Sequence, residues 1–276
     1  MAHRESFIRW AGGKSWLVPV IKEMIANLDY NDYYEPFMGG ASIFFALDPQ
    51  NDVYLSDINM ELVNAFCAVK DNPKRVIYYL KQMKSNEAEY YSIRDEIKKG
   101  KQGNGKYQKA ARFLYLNENS YNGLYRVNRN GKYNVPYGKQ QKQIEYDRIM
   151  DASIKLQNVH ITCNDFSKIE DDIRENDLIF LDPPYAVTKE DTGFIAYNSK
   201  LFSLDDQKVL SHLVDAIDER GAYYIMTNAA HPSITEIFGD QGNMRVIERN
   251  SLIGGKKAYR GNVREYLFTN IPERNE

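Results

Sequence analysis

The chain is expected to be an α/β protein, a doubly wound sheet interrupted by an inserted, mainly helical segment that bears a β-hairpin. Three observations carry this expectation. Short apolar runs recur, each ending in an acidic residue or a glycine turn, with amphipathic segments between them; that alternation belongs to strands and helices sharing an open sheet. One run, Leu178-Ile179-Phe180-Leu181, is apolar throughout, as a strand buried on both faces must be. Between residues 59 and 148 the rhythm breaks into helical, basic and aromatic sequence. Residues 1–58 and 149–276 are therefore expected to form one sheet domain, and residues 59–148 a separate recognition segment.

Taken in order, residues 32–37 read as a first strand, which runs into Met38-Gly39-Gly40 and a helix over 41–47. Residues 53–56 read as a second strand ending at Asp57. A helix over 60–69 follows, with Leu62, Val63, Phe66 and Val69 on one face. Further strands are expected over 159–163, ending at Asn164-Asp165-Phe166, and over 178–181, ending at Asp182. A helix over 204–217 leads into a strand over 222–227, and 263–269 closes the sheet.

The inserted segment turns polar at Gly100-Lys101-Gln102-Gly103-Asn104-Gly105-Lys106. It ends in two runs, Tyr125-Arg126-Val127-Asn128 and Tyr133-Asn134-Val135, around Arg129-Asn130-Gly131-Lys132. Asn-Gly between such runs signals a hairpin. From Lys98 to Arg148 there are 12 lysines and arginines against three acids, a surplus of nine; the whole chain is −2, so the remainder carries −11. A solvated charged surface would give the same imbalance. The interleaved aromatics Tyr107, Phe113, Tyr115, Tyr121, Tyr125, Tyr133 and Tyr137 favour instead a face that meets phosphates.

Composition narrows the classes. With 276 residues, 43% hydrophobic and 27% charged, the chain has the makeup of a globular domain, and no stretch approaches the roughly 18 apolar residues of a membrane span. Met1-Ala2-His3-Arg4-Glu5 lacks the apolar core of a secretion signal, so a cytoplasmic location is expected. Cys67 and Cys163 are too few for a disulfide framework or a zinc site, and His3, His160, His212 and His231 show no ligand spacing. No metal is expected.

Asp182-Pro183-Pro184-Tyr185 directly follows the buried strand. In open α/β sheets, ligands sit outside the carboxyl ends of the strands. The Asp182 carboxylate and the Pro183 carbonyl can each accept one hydrogen of a delocalised amino group such as adenine N6. They would then stabilise the positive charge that develops as the nitrogen attacks. The prolines stiffen the turn and Tyr185 offers a stacking face; the alternative is simply a rigid turn with an exposed tyrosine.

Glu35-Pro36-Phe37-Met38-Gly39-Gly40 places two glycines after the first strand, where a ligand can approach the backbone. Asp57, at the next strand end, is placed to accept bonds from ribose hydroxyls. The spacing differs from Gly-x-Gly-x-x-Gly, which disfavours hydride transfer. Arg9-Trp10-Ala11-Gly12-Gly13-Lys14 precedes a helix and can hold a carboxylate, or can be no more than an anchored turn. Asp165 can meet an adenine amino group and Phe166 can pack on a purine, although a phenylalanine after a strand more commonly belongs to the core.

Together these motifs resemble the D12 class, alpha group of adenine-N6 DNA methyltransferases of the Dam type, over nearly the whole chain. The order is theirs: Trp10-Ala11-Gly12-Gly13-Lys14, Glu35-Pro36-Phe37-Met38-Gly39-Gly40, a recognition insert, then Asp182-Pro183-Pro184-Tyr185. Ser120-Tyr121-Asn122-Gly123-Leu124-Tyr125-Arg126-Val127-Asn128 and Tyr133-Asn134-Val135-Pro136-Tyr137-Gly138 resemble that family's DNA-reading hairpin. The resemblance implies a Rossmann-like class I methyltransferase sheet. It implies S-adenosyl-L-methionine as methyl donor, S-adenosyl-L-homocysteine as product and double-stranded DNA as partner; no obligate protein partner is evident in the sequence, and a monomer is expected.

It further implies a cofactor site of Trp10, Lys14, Glu35, Pro36, Phe37, Gly39, Gly40, Asp57, Asp165, Phe166 and Asp182, and a catalytic turn of Asp182, Pro183, Pro184 and Tyr185. Arg126 would read a guanine through its donor fork. Tyr121 and Asn122 would help extrude the adenine, while Arg9, Leu124, Asn134 and Pro136 would touch other bases or phosphates. GATC is the implied target. Two positions depart from the pattern: Ala41 stands where many relatives have a further glycine, and Arg9 where many have lysine. Cytosine-C5 methylation would need a nucleophilic cysteine, whereas Cys67 and Cys163 lie in apolar segments. An RNA- or protein-directed methyltransferase and a silent DNA-binding module are the alternatives.

Overall fold

The computed structural model describes residues 6–98, 105–128, 130–138, 144–185, 202–250 and 262–272. His3, Arg129, most of the polar run from Gly100 and the basic stretch Lys256-Lys257-Ala258-Tyr259-Arg260-Gly261 lie outside the described residues.

The elements run α1 (Val18–Ile25), β1 (Tyr33–Glu35), α2 (Ser42–Leu47), β2 (Val53–Ser56), α3 (Met60–Asp71), α4 (Pro73–Leu80), α5 (Glu87–Lys98), α6 (Lys106–Asn119), α7 (Tyr146–Lys155), β3 (Val159–Thr162), β4 (Leu178–Leu181), α8 (Leu204–Glu219), β5 (Tyr223–Ala229), α9 (Pro232–Phe238), β6 (Asn243–Asn250) and β7 (Asn262–Thr269). Their sheet has seven strands in the order β3-β2-β1-β4-β5-β7-β6. β1 with β4, β4 with β5 and β2 with β3 are parallel; β7 lies antiparallel to both β5 and β6. The doubly wound α/β sheet expected from the sequence is present, with every predicted strand of that sheet found within two residues of its expected ends.

The chain divides into two compact units. One comprises residues 23–37 and 165–276. Here β4 is buried at all four positions and β1 at all three, which is why both lack polar–apolar alternation. α8 starts on a capping box: the Ser203 hydroxyl accepts the Asp206 N–H at 3.2 Å, and the Asp206 carboxylate accepts the Ser203 N–H at 2.6 Å. Its buried face includes Leu210, Leu213, Val214 and Ile217, each worth roughly 1.5–3 kcal/mol of apolar burial. The turn into β6 depends on Gly242, at φ +64°, where a Cβ would fall 2.4 Å from the Thr269 carbonyl oxygen. β6 and α9 were not anticipated from the sequence. Met244 and Val246 of β6 are exposed, so its apolar positions do not mark a buried strand.

The other unit comprises residues 1–22 and 38–164. Asn59 caps α3, its Oδ1 accepting the N–H groups of Glu61 and Leu62 at 3.1 and 3.2 Å. α3 buries Leu62, Val63, Ala65, Phe66, Ala68 and Val69 and packs against α6. α6 is buried over most of its length, including Phe113, Leu114, Tyr115 and Leu116, and forms the centre of this unit with α3, α4 and α5.

The predicted hairpin is present as a turn rather than as two regular strands. Val127 and Tyr133 make one antiparallel bridge. The Asn128 N–H donates to the Lys132 carbonyl at 2.8 Å, and the Asn134 N–H to the Arg126 carbonyl at 3.0 Å. Asn128 Oδ1 accepts the N–H groups of Asn130 and Lys132 at 3.0 Å each, and Gly131 takes φ +69°. Side-chain capping of the turn thus replaces the longer ladder that alternation would require.

Candidate active site

In the unit formed by residues 23–37 and 165–276, the strand-end tetrapeptide is held from below by two buried side chains. Thr227, on β5 and 1% exposed, donates from Oγ1 to Asp182 Oδ1 at 2.7 Å. Glu265, on β7 and 2% exposed, accepts the Tyr185 hydroxyl at Oε2 over 2.6 Å. Burial first, then the nearby charges of Asp182 and Glu265, push the Tyr185 hydroxyl well above its ordinary value, so it stays a neutral donor.

The same unit assembles an apolar wall at the end of β1. Phe37 and Phe166 stack with centroids 5.0 Å apart, and Phe202 meets Phe37 edge-on at 5.7 Å. Pro36 is buried beside them in sequence. Glu35, also buried, accepts the Tyr33 hydroxyl at 2.5 Å. Asp165 serves its own turn: its Oδ1 accepts the Ser167 N–H at 3.0 Å and the Ser167 hydroxyl at 2.7 Å, capping a 3-10 turn over Phe166–Ile169.

The unit formed by residues 1–22 and 38–164 holds a second cluster. Asp57 follows β2 and accepts the Gly39 N–H at Oδ2 over 3.0 Å and the Asn59 N–H at Oδ1 over 2.9 Å. Burial raises its carboxyl from the ordinary value of 3.8, and amide bonds from Asn59, Gly39 and Ile58 work against that rise. The paired glycines lie against Trp10. A Cβ on Gly39 would stand 2.7 Å from Trp10 Cδ1, and one on Gly40 would stand 3.1 Å from Trp10 Cβ. Ala41 takes φ +50°, a left-handed conformation that explains why glycine suits this position. Lys14 is 4% exposed and donates from Nζ to the Gly12 carbonyl at 3.0 Å, while its N–H donates to Ser42 Oγ at 3.2 Å.

Trp10 reaches further, stacking on Tyr125 at 5.5 Å with 24° between planes. Arg9 lies over Gly123, where a Cβ would fall 2.8 Å from Arg9 Cβ. The Tyr121 N–H donates to the Pro136 carbonyl at 2.9 Å. Arg126 is exposed and donates from Nε to Asn134 Oδ1 at 2.8 Å. Arg9, Tyr121, Asn122, Leu124, Arg126, Asn134 and Pro136 therefore belong to one hydrogen-bonded and packed surface. Tyr121, Asn122, Arg126 and Pro136 are its exposed members, and Asn122 takes φ +55°.

Sequence reasoning missed three supporting residues. Thr227 and Glu265 become visible only through strand register, and Asn117 through helix α6, whose side chain bonds the backbone of Arg9 and Gly123. None of the three has neighbours in sequence that name its partner: Glu265 follows Arg264 and Asn117 precedes Glu118. Cys67 and Cys163 are free and half-buried.

Residues 10–252 match the D12 class N6 adenine-specific DNA methyltransferase family. The chain is 34% identical over 271 residues to the type II methyltransferase M1.LlaDCHI of Lactococcus lactis subsp. cremoris, covering 96% of this chain and 94% of that protein. It is 32% identical over 241 residues to the type II methyltransferase M.MjaIII of Methanocaldococcus jannaschii, covering 81% and 83%. It is 28% identical over 273 residues to the DNA adenine methylase of Escherichia coli K12, covering 97% and 95%.

Proposed function

Because this chain belongs to the D12 class N6 adenine-specific DNA methyltransferases, we propose that it transfers a methyl group from S-adenosyl-L-methionine to the N6 nitrogen of an adenine extruded from duplex DNA, within the sequence GATC. Residues 59–148 form the target-recognition part and residues 1–58 and 149–276 the catalytic part. The enzyme acts as a monomer in the cytoplasm of a bacterium or of a phage-infected cell.

The observation that carries the reading is the strand-end turn Asp182-Pro183-Pro184-Tyr185 with Asp182 anchored by Thr227. An amino nitrogen conjugated to a purine is a poor nucleophile. Thr227 fixes the rotation of the Asp182 carboxylate, so its lone pairs hold a set direction toward one N6 hydrogen. The Pro183 carbonyl takes the other. Both acceptors stabilise the positive charge that grows on nitrogen, and they are in place before the reaction begins. The proton that N6 gives up passes to Asp182. Tyr185 stacks on the extruded ring.

Each unit carries groups that suit the methyl donor. Asp57 accepts the Gly39 amide at one oxygen and the Asn59 amide at the other, and a carboxylate with about four lone-pair sites has capacity left for ribose hydroxyls. Lys14 with the Trp10 and Gly39–Gly40 packing serves the amino-acid end, and Phe37 and Phe166 supply apolar surface for the purine, with Glu35, Pro36 and Asp165 shaping the adjoining turns. S-adenosyl-L-methionine, when bound, supplies the electrophilic methyl group. Asn134 holds Arg126 through Nε at its Oδ1 and through one terminal nitrogen, at 3.5 Å, at its carbonyl, and so fixes the plane of the guanidinium that would read a guanine edge.

Transfer of labelled methyl to two duplexes that differ only in GATC against GTTC tests the proposal. Label recovered as N6-methyladenine from the first alone supports it. Equal label in both removes GATC, and no label in either, with the donor bound, removes the DNA substrate.

A further inference from the structure

β7 lies antiparallel to β5 with Glu265 opposite Ala229 and Leu267 opposite Thr227. Side chains two apart on a strand share a face, so this register puts Glu265 and Thr227 on the same side of the sheet. Glu265 is 2% exposed, and its neighbours on that face, Leu267 and Thr269, are 1% and 2% exposed. A carboxylate in such a place is costly unless hydrogen bonds repay its lost hydration. A leucine would fill the position at no such cost. One of the bonds Glu265 makes is to Tyr185 at 2.6 Å, across 80 residues of sequence, and Tyr185 belongs to the strand-end turn.

Resting on the reading of Asp182-Pro183-Pro184-Tyr185 as the catalytic turn, we propose that Glu265 is a positioning residue for methyl transfer, holding the Tyr185 ring through its hydroxyl as Thr227 holds the Asp182 carboxylate. A tyrosine ring tethered only by its Cβ rotates about two bonds. A hydroxyl anchored on β7 fixes the ring plane, and a stacking platform works only in one plane. The stability sacrificed by burying the acid is thus returned as a preset orientation for the target base.

The test is a set of variants read by turnover, by cofactor KM and by the fluorescence of a duplex carrying 2-aminopurine at the target adenine. Glu265→Leu, shown folded by its thermal transition, is expected to lower kcat about tenfold or more. The cofactor KM should stay unchanged, and the fluorescence rise on DNA binding should shrink. Glu265→Gln, whose amide oxygen still accepts the hydroxyl, should restore most of the turnover. In a Tyr185→Phe background, Glu265→Leu should cost nothing further, since the bond it breaks is already absent. If Glu265→Leu fails to fold, the same cycle with Glu265→Ala and Tyr185→Phe carries the test. Losses that multiply in the double variant, or a Glu265→Leu protein changed only in thermal midpoint, would overturn the proposal. Tyr185→Ala at wild-type kcat would instead remove the catalytic-turn reading on which it rests.

Discussion

The side-chain amide of Asn117 pairs with the backbone of Arg9 as one strand pairs with another. Its Oδ1 accepts the Arg9 N–H at 3.1 Å, and its Nδ2 donates to the Arg9 carbonyl at 2.8 Å and to the Gly123 carbonyl at 3.2 Å. Asn117 is 2% exposed. One buried side chain therefore joins the segment preceding Trp10 to the turn that carries Tyr121 and Asn122.

Replacing Asn117 with leucine strands an N–H and two carbonyl groups. The expected loss of stability is about 2–4 kcal/mol, read from urea unfolding at constant slope. DNA affinity should fall further than cofactor affinity, because the exposed residues nearest the lost bonds are the candidate base-reading ones. An unchanged unfolding midpoint would contradict this.

Gly39→Ala combines a left-handed backbone with a side-chain collision. The φ of +45° costs roughly 1–2 kcal/mol for an alanine, and the contact with Trp10 adds about 1–3 kcal/mol. In a Trp10→Ala background the second part disappears, so Gly39→Ala should be less damaging there. Equal effects in both backgrounds would show that the glycine does not make room for the indole.

Asp57 sets a pH dependence whose sign follows from its raised carboxyl. A carboxyl that is harder to ionise when folded gives stability below its unfolded value near 3.8, and that stability is lost as pH rises through the folded value. Relative to Asp57→Asn, the wild-type protein without ligand should therefore lose stability between acidic and neutral pH. Denaturation curves for both proteins at several pH values would reveal it; parallel curves would refute it.

Arg126 and Asn134 form a hydrogen-bonded pair at the candidate DNA surface. Arg126→Lys removes the planar fork while keeping the charge, and should relax discrimination at one base pair by about 1–3 kcal/mol. Asn134→Ala should do the same in smaller measure by freeing the guanidinium. Methylation of duplexes carrying single substitutions across the target gives the answer, and uniform loss across all sequences would recast Arg126 as a phosphate contact.

Asp182→Ala removes the acceptor on which the proposed chemistry depends, and should abolish turnover while leaving cofactor binding weakened but detectable by calorimetry. Robust methyl transfer by that variant would exclude Asp182 from the reaction.

Much of the fold was legible because its signals are local. An unbroken apolar run such as 178–181 can only be buried on both faces, and a polar residue ending such a run marks a strand end. Asp57, Asp165 and Asp182 were found in this way. The hairpin was legible through Asn130-Gly131, but its regularity was overestimated, since nothing in the alternation announces that Asn128 caps the turn with its own side chain. β6 was missed because Met244 and Val246 are exposed, so its pattern is not the pattern of burial. The role of Gly39 and Gly40 was read only in part: the need for an absent side chain is plain from sequence, whereas the indole of Trp10 filling that space is not.

The sequence by itself determined the α/β class, the family and the strand-end tetrapeptide, because each rests on the period of burial or on residues adjacent in the chain. Only the tertiary structure decided that Thr227 holds Asp182, that Glu265 holds Tyr185 and that Asn117 holds Arg9. These pairs are 45, 80 and 108 residues apart. Strand register and helix packing bring them together, and a shift of one residue in strand register would turn Thr227 or Glu265 to the opposite face.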